Sequence, residues 1–174
     1  AVMPSYYIDH TQKDYENFRI KMLFYNVGPI HPTVMIRSSF LKGNAIEYDE
    51  TIKKAQDYAL WSDCILAGGK IRNVPEVLLE YRLHDEQITV KDHKAQAECV
   101  KYIVRRNLKK LGFEMSDREY EMVGTLYSPE YSADPQCYIE ALNKLSLLNR
   151  QVRKFTIKKF ENEIKIRWIH KVVK

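Results

Sequence analysis

The chain has 174 residues, 45% of them apolar and 29% charged, with a formal net charge of +5. That length holds one medium domain, or one domain with a helical appendage, and no run of about 18 apolar residues exists to span a membrane as a helix. Cys64, Cys99 and Cys137 are odd in number, far apart and form no C-x-x-C pair, which argues against a disulfide framework or a zinc site and fits a reducing cytoplasm.

The charge is uneven. Residues 150–174 hold nine Lys and Arg against Glu161 and Glu163, a net +7, so the other 149 residues sum to −2. A negative body argues against a nucleic-acid binder. Ala1-Val2-Met3-Pro4 lacks the basic and apolar regions of a signal peptide. The chain opens without an initiator methionine, which points to an excised or processed piece.

Residues 12–26 read as a helix, because Tyr15, Phe18, Met22 and Tyr25 recur at three- and four-residue spacing and Gly28-Pro29 stops it. After His31-Pro32, the β-branched run Thr33-Val34-Met35-Ile36 predicts a short strand. A helical turn at 38–42 ends at Gly43-Asn44. Residues 53–67 predict a helix ended by Gly68-Gly69. Residues 70–74 and 77–84 predict two strands with Pro75 between them. In the second, Val77, Leu79, Tyr81 and Leu83 take one face, and Leu78, Glu80, Arg82 and His84 the other.

From about residue 90 the pattern turns helical, over 92–111, 116–127, 135–150 and 156–172. Val100, Ile103, Val104, Leu108 and Leu111 form an apolar stripe. Gly112 is a C-cap, Ser116 with Glu119 a capping box, and Asp134-Pro135 an N-cap and first-turn pair. In the last segment Ile164, Ile166, Trp168 and Val172 alternate like a strand. Ile157, Phe160, Ile164 and Trp168 are spaced like a helix, which is the reading taken. The expected fold class is α/β: a few short strands in residues 1–90, then an all-helical extension over 91–174. Two or three short strands make a poor free-standing sheet.

Three groups of residues offer chemistry. On the 53–67 helix, Asp57 shares a face with Leu60, Trp61, Cys64 and Ile65, so a carboxylate heads an inward-pointing apolar stripe. Asp57 is then a first-turn residue favoured by the helix dipole, a carboxylate buried against an arginine, or a catalytic carboxylate. Arg82 and His84 project from one strand face, a pair suited to a diphosphate or a shared carboxylate, or else a solvated face. His31, held between a loop and a strand, lines a cleft or serves structure alone. The sequence contains no G-x-G-x-x-G, P-loop, H-E-x-x-H or G-x-S-x-G motif, and no D-x-D triplet.

The order of the pieces carries more than any one of them. His31-Pro32-Thr33-Val34-Met35-Ile36-Arg37, Tyr48-Asp49-Glu50, Gln56-Asp57-Tyr58-Ala59-Leu60-Trp61, Gly69-Lys70 through Asn73-Val74-Pro75, and Leu78-Leu79-Glu80-Tyr81-Arg82-Leu83-His84 follow one another over residues 26–88. The run resembles the C-terminal half of family-two glycosyltransferases of the GT-A fold, which carry H-x-x-x-M-x-R, Y-D-E, E-D-Y-x-L-W and L-x-x-Y-R-x-H in that order.

The resemblance implies a partial GT-A fold and an inverting transfer. A sugar moves from a nucleotide-sugar donor to a hydroxyl of a glycan or lipid-linked acceptor, as in bacterial surface-polysaccharide assembly. It makes Asp57 the general base. It places Arg82 and His84 at the diphosphate, with His84 also toward the metal, and His31, Trp61 and Gln56 around the substrates. It implies Mg²⁺ or Mn²⁺ in a full-length enzyme, with none held tightly by this chain. Gln56 stands where the family has glutamate, which leaves Asp57 the sole base candidate. The D-x-D and nucleotide-binding strands belong before residue 1, so the chain is expected to be inactive alone and to pair through uncovered strand edges as a homodimer. The basic tail, with Phe155, Phe160 and Trp168, suits either an anionic membrane surface, placing the protein peripherally on the inner face of the cytoplasmic membrane, or packing on the domain. The rival to an enzyme is a non-enzymatic helical interaction module.

Overall fold

A computed structural model describes residues 14–74, 76–80, 93–126 and 133–172. Among them lie seven α-helices: α1 (Tyr15–Lys21), α2 (Ser38–Gly43), α3 (Gln56–Leu66), α4 (His93–Lys110), α5 (Asp117–Gly124), α6 (Pro135–Val152) and α7 (Ile157–Val172), with a 3-10 turn at His31–Thr33. Helices α4 to α7 pack on their sequence neighbours, α1 returns onto α7, and α3 lies against α4.

Local signals set the helix ends. The Asp14 carboxylate accepts the Asn17 N–H at 3.2 Å to start α1. Ser116 and Glu119 close the expected capping box on α5, and Asp134 accepts from Gln136 to open α6. Gly112, at φ +81°, ends α4. Helix α3 ends in a Schellman motif: Gly68, at φ +84°, donates to Ile65 and Gly69 donates to Cys64. Helix α7 takes its cap from far away. Glu16 of α1 accepts both the Thr156 N–H (2.7 Å) and its hydroxyl (3.0 Å).

The α/β expectation is overturned. No strand or sheet exists among the described residues, which are helix-rich and form no partial GT-A sheet. The run expected as a strand at 33–36 begins instead as a 3-10 turn. Pro32 presets its first turn, and Thr33 donates to the Ile30 carbonyl through both its N–H (2.9 Å) and its hydroxyl (2.7 Å). Residues 70–74 and 77–80 are not in regular structure and have no ladder partner among the described residues. β-branched alternation specifies an extended chain, but a strand also needs a neighbour to hydrogen-bond. Val77, Leu78 and Leu79 are all exposed, so the alternation there buries no face. The remainder of the expected second strand, 81–84, lies outside the described residues.

The core is a single apolar cluster drawing on residues either side of 90, from Phe18 to Phe160. Phe160 is fully buried and stacks on Phe155 (centroids 5.6 Å) and Phe113 (5.9 Å), with Phe24 at 6.4 Å. Such a ring stabilises by about 1.5–3 kcal/mol through burial, with more from its aromatic neighbours. Thus Phe155 and Phe160 of the basic tail face the core, while Trp168 is half-buried against it. Several tail cations have partners inside the fold: Arg150 pairs with Glu161, Lys159 with Asp14 and Glu16, and Arg167 with Glu163. Among the described residues, no helix is long and apolar enough to cross a membrane.

Candidate functional site

Helix α3 opens from a strained residue. Ala55, its N-cap, sits at φ +57°, ψ +32° in the left-handed region, where a Cβ costs about 1–2 kcal/mol. Two residues on, half-buried Asp57 lies in the first helical turn, where the helix dipole favours a negative charge. Its Oδ1 accepts the Tyr58 N–H at 2.7 Å, and its Oδ2 accepts a long 3.4 Å bond from the Asn26 amide. No arginine or lysine pairs with it among the described residues. Of the readings the sequence left open, burial against an arginine finds no such arginine among the described residues, where one carboxylate oxygen is held only by the long Asn26 bond.

One turn along, Trp61 is buried at 2% exposure beneath the same turn. Its indole N–H has no acceptor among the described residues. Gly28 lies against this indole, where a side chain would overlap Cδ1. Gly28 donates its N–H to Asn26 Oδ1 at 2.9 Å, so the 26–28 turn holds both the Asn26 amide beside Asp57 and the backbone against Trp61.

His31 meets Trp61 edge-on, with centroids 6.0 Å apart and planes at 77°. Its Nε2 is 2.7 Å from the Tyr48 hydroxyl. Burial, with the Asp57 charge added, pushes the Tyr48 phenol above its ordinary value, so Tyr48 stays a neutral hydroxyl at physiological pH. Three of the expected site residues, Asp57, Trp61 and His31, are thus brought together. Gln56 is not turned toward them: it is exposed, and its amide donates to the Lys53 carbonyl at 2.9 Å. Arg82 and His84 lie outside the described residues.

Sequence reasoning missed the roles of Asn26, Gly28 and Tyr48. Tyr48 stood within the Tyr-Asp-Glu motif, but nothing in that motif tells which of its three residues turns toward His31. In the sequence, Gly28 reads only as a helix stop.

The site rests on a polar clamp between α3 and α4. Arg106 donates to the Ala59 carbonyl (3.1 Å) and to Asp63 (3.0 Å), and lies 3.8 Å from Asp49. Lys110 adds a 2.7 Å bond to Asp63. Asp49 is also fixed locally by the Thr51 N–H (3.0 Å) and hydroxyl (2.5 Å). This ties the Tyr48–Asp49 turn and the body of α3 to one arginine. Among the described residues, no three His, Cys, Asp or Glu side chains converge to hold a metal.

Comparison with known proteins points the same way as the motifs. The chain is similar to an uncharacterized glycosyltransferase of Haemophilus influenzae, 35% identical over 99 residues, covering 54% of this chain and 30% of the relative. It is also similar to an uncharacterized glycosyltransferase of Methanocaldococcus jannaschii, 39% identical over 54 residues, covering 31% of this chain and 18% of the relative. The chain therefore spans less than a third of the length of either. No family model matches it, and no solved structure matches it significantly. These likenesses support a glycosyltransferase in general terms.

Proposed function

We propose that this chain carries the acceptor side and catalytic base of a longer, inverting, nucleotide-sugar-dependent glycosyltransferase, with Asp57 as the base. The observation that carries the reading is a half-buried carboxylate at a helix start with no cationic partner among the described residues. It lies one turn from a buried indole that His31 meets edge-on, with Tyr48 hydrogen-bonded to that histidine. The named glycosyltransferase relatives support it.

In the proposed step, an acceptor hydroxyl oxygen attacks the anomeric carbon of the donor. The new C–O bond forms as the bond to the diphosphate oxygen breaks on the opposite face, inverting that carbon. The hydroxyl proton passes to Asp57, and the nucleoside diphosphate departs with the bonding electron pair. The exposed His31 and Tyr48 rings, backed by the buried Trp61, supply the apolar surface and the few polar groups that orient a sugar. Arg82 and His84 are assigned to the diphosphate on the motif resemblance. A divalent ion would there offset the leaving group's charge, but the described residues offer no ligand set for it, so no step here runs through one.

The test is product stereochemistry. The full-length enzyme containing this segment is incubated with UDP-, GDP- and dTDP-sugars, Mn²⁺ and a lipid-linked or glycan acceptor pool, and the anomeric configuration of the product is read by proton NMR. Inversion with release of nucleoside diphosphate is expected. A retained configuration contradicts the proposal.

A further inference from the structure

Directly after α3, at the end opposite Asp57, the chain passes Gly68-Gly69 and runs out over Lys70, Ile71 and Arg72. This end lies roughly 16 Å from the Asp57 turn, the length of an 11-residue helix. The path there is fixed. Gly69 approaches so closely that an added Cβ would stand 2.7 Å from the Cys64 carbonyl and 2.8 Å from the Phe40 ring. The Tyr15 hydroxyl donates to the Gly69 carbonyl. Tyr15, Lys70, Ile71 and Arg72 line a cavity of about 260 Å³, and no carboxylate lines it among the described residues. Neither Lys70 nor Arg72 is in an ion pair among the described residues, whereas Arg105, Arg106, Lys110, Arg150 and Lys159 all are.

We infer that this cavity is an anion subsite that takes a phosphate or diphosphate group between Lys70 and Arg72. Two cations spaced by one residue at an anchored backbone suit adjacent phosphate oxygens, with Arg supplying a planar fork and Lys a point charge. The volume lies just below the roughly 300–1,000 Å³ of small-molecule pockets, which favours a charged group over a whole nucleotide sugar. The tethered Tyr15 ring and Ile71 form its apolar sides. The inference does not depend on the transfer reading, because its readout is binding and not turnover.

The test is NMR titration of this chain with inorganic pyrophosphate. The amides of Gly69, Lys70, Ile71 and Arg72 should shift with a Kd on the order of 1 mM. K70A/R72A should weaken binding at least tenfold, and the charge-preserving K70R/R72K should retain it. Both positions are exposed, so the fold should survive, which the unchanged remaining amide signals would verify. UDP and phosphatidylglycerol vesicles separate the sources. UDP shifting the same amides identifies a free diphosphate. Sedimentation with vesicles that pyrophosphate reverses and the double variant lacks identifies a lipid headgroup. No shift at 20-fold the expected Kd, or equal shifts in the double variant, overturns the subsite.

Discussion

Gly28 and Trp61 are in contact so close that no other residue fits at position 28: a Cβ there would overlap the indole Cδ1 and come within 3.0 Å of Cγ. The glycine is needed here for space and not for a left-handed backbone. Gly28→Ala should push the indole off its seat against His31, costing about 1–3 kcal/mol as overpacking does. Urea unfolding gives the cost, and the emission of Trp61 in a Trp168→Phe background reports the displacement. Unchanged stability and emission would show that the 26–28 turn yields freely.

Arg106 should be the polar residue on which this region depends most. Its loss removes the side-chain bond to the Ala59 carbonyl and leaves Asp63 to the exposed Lys110. Arg106→Met keeps much of the packing while removing the bonds, so about 2 kcal/mol of destabilisation in urea is expected. A loss under about 0.5 kcal/mol would reduce the clamp to a surface contact.

Ala55→Gly separates two opposing effects. Relieving a left-handed Cβ returns about 1–2 kcal/mol, while the added freedom of the unfolded glycine costs about 0.4–1 kcal/mol. The net expectation is a gain of about 0.5–1 kcal/mol, read as a rise in the urea midpoint without change in slope. A destabilised variant would mean that the Ala55 methyl contributes packing that outweighs its strain.

The joint between α1 and α7 should be acid-sensitive. The Lys159 ammonium beside Asp14, helped by the Asn17 N–H, holds that carboxyl below its ordinary value, and the Thr156 N–H does the same for Glu16. A carboxyl whose folded pKa lies below its unfolded one adds stability above the unfolded value and loses it as pH falls through the folded value. Stability from this joint should be full above about pH 5 and decline below about pH 4. Glu16→Gln should flatten that decline and lower stability at neutral pH. An identical slope in the variant would locate the acid sensitivity elsewhere.

How far this was legible in the sequence follows from which features are local. Caps are local: Asp14, Asp134 and the Ser116–Glu119 box need only nearby residues, and the helices they start were expected. Pairing is not local. The runs at 33–36 and 70–80 carry strand-like residues, but nothing within them states whether a neighbour exists to bond. The first also lost to Pro32 and the Thr33 hydroxyl, which favour a turn. In the site, Asp57 and Trp61 were readable because a helix sets residues one turn apart on one face. His31 joined them through the motif order. Asn26 and Gly28 reach the site through the path of a loop, which no spacing rule records, and Glu16 caps the last helix at Thr156, 140 residues later.

The central claim is that Asp57 takes the acceptor proton, and the measurement that tests it most directly is a paired kinetic and binding comparison of Asp57→Asn. In the full-length enzyme the substitution keeps the size of the side chain and its contact with Asn26, so the dissociation constant for the nucleotide-sugar donor should stay within about twofold. Turnover should fall by roughly 10²–10⁴ as the base is removed. Near-normal turnover with normal donor binding would contradict the assignment of Asp57 as the base.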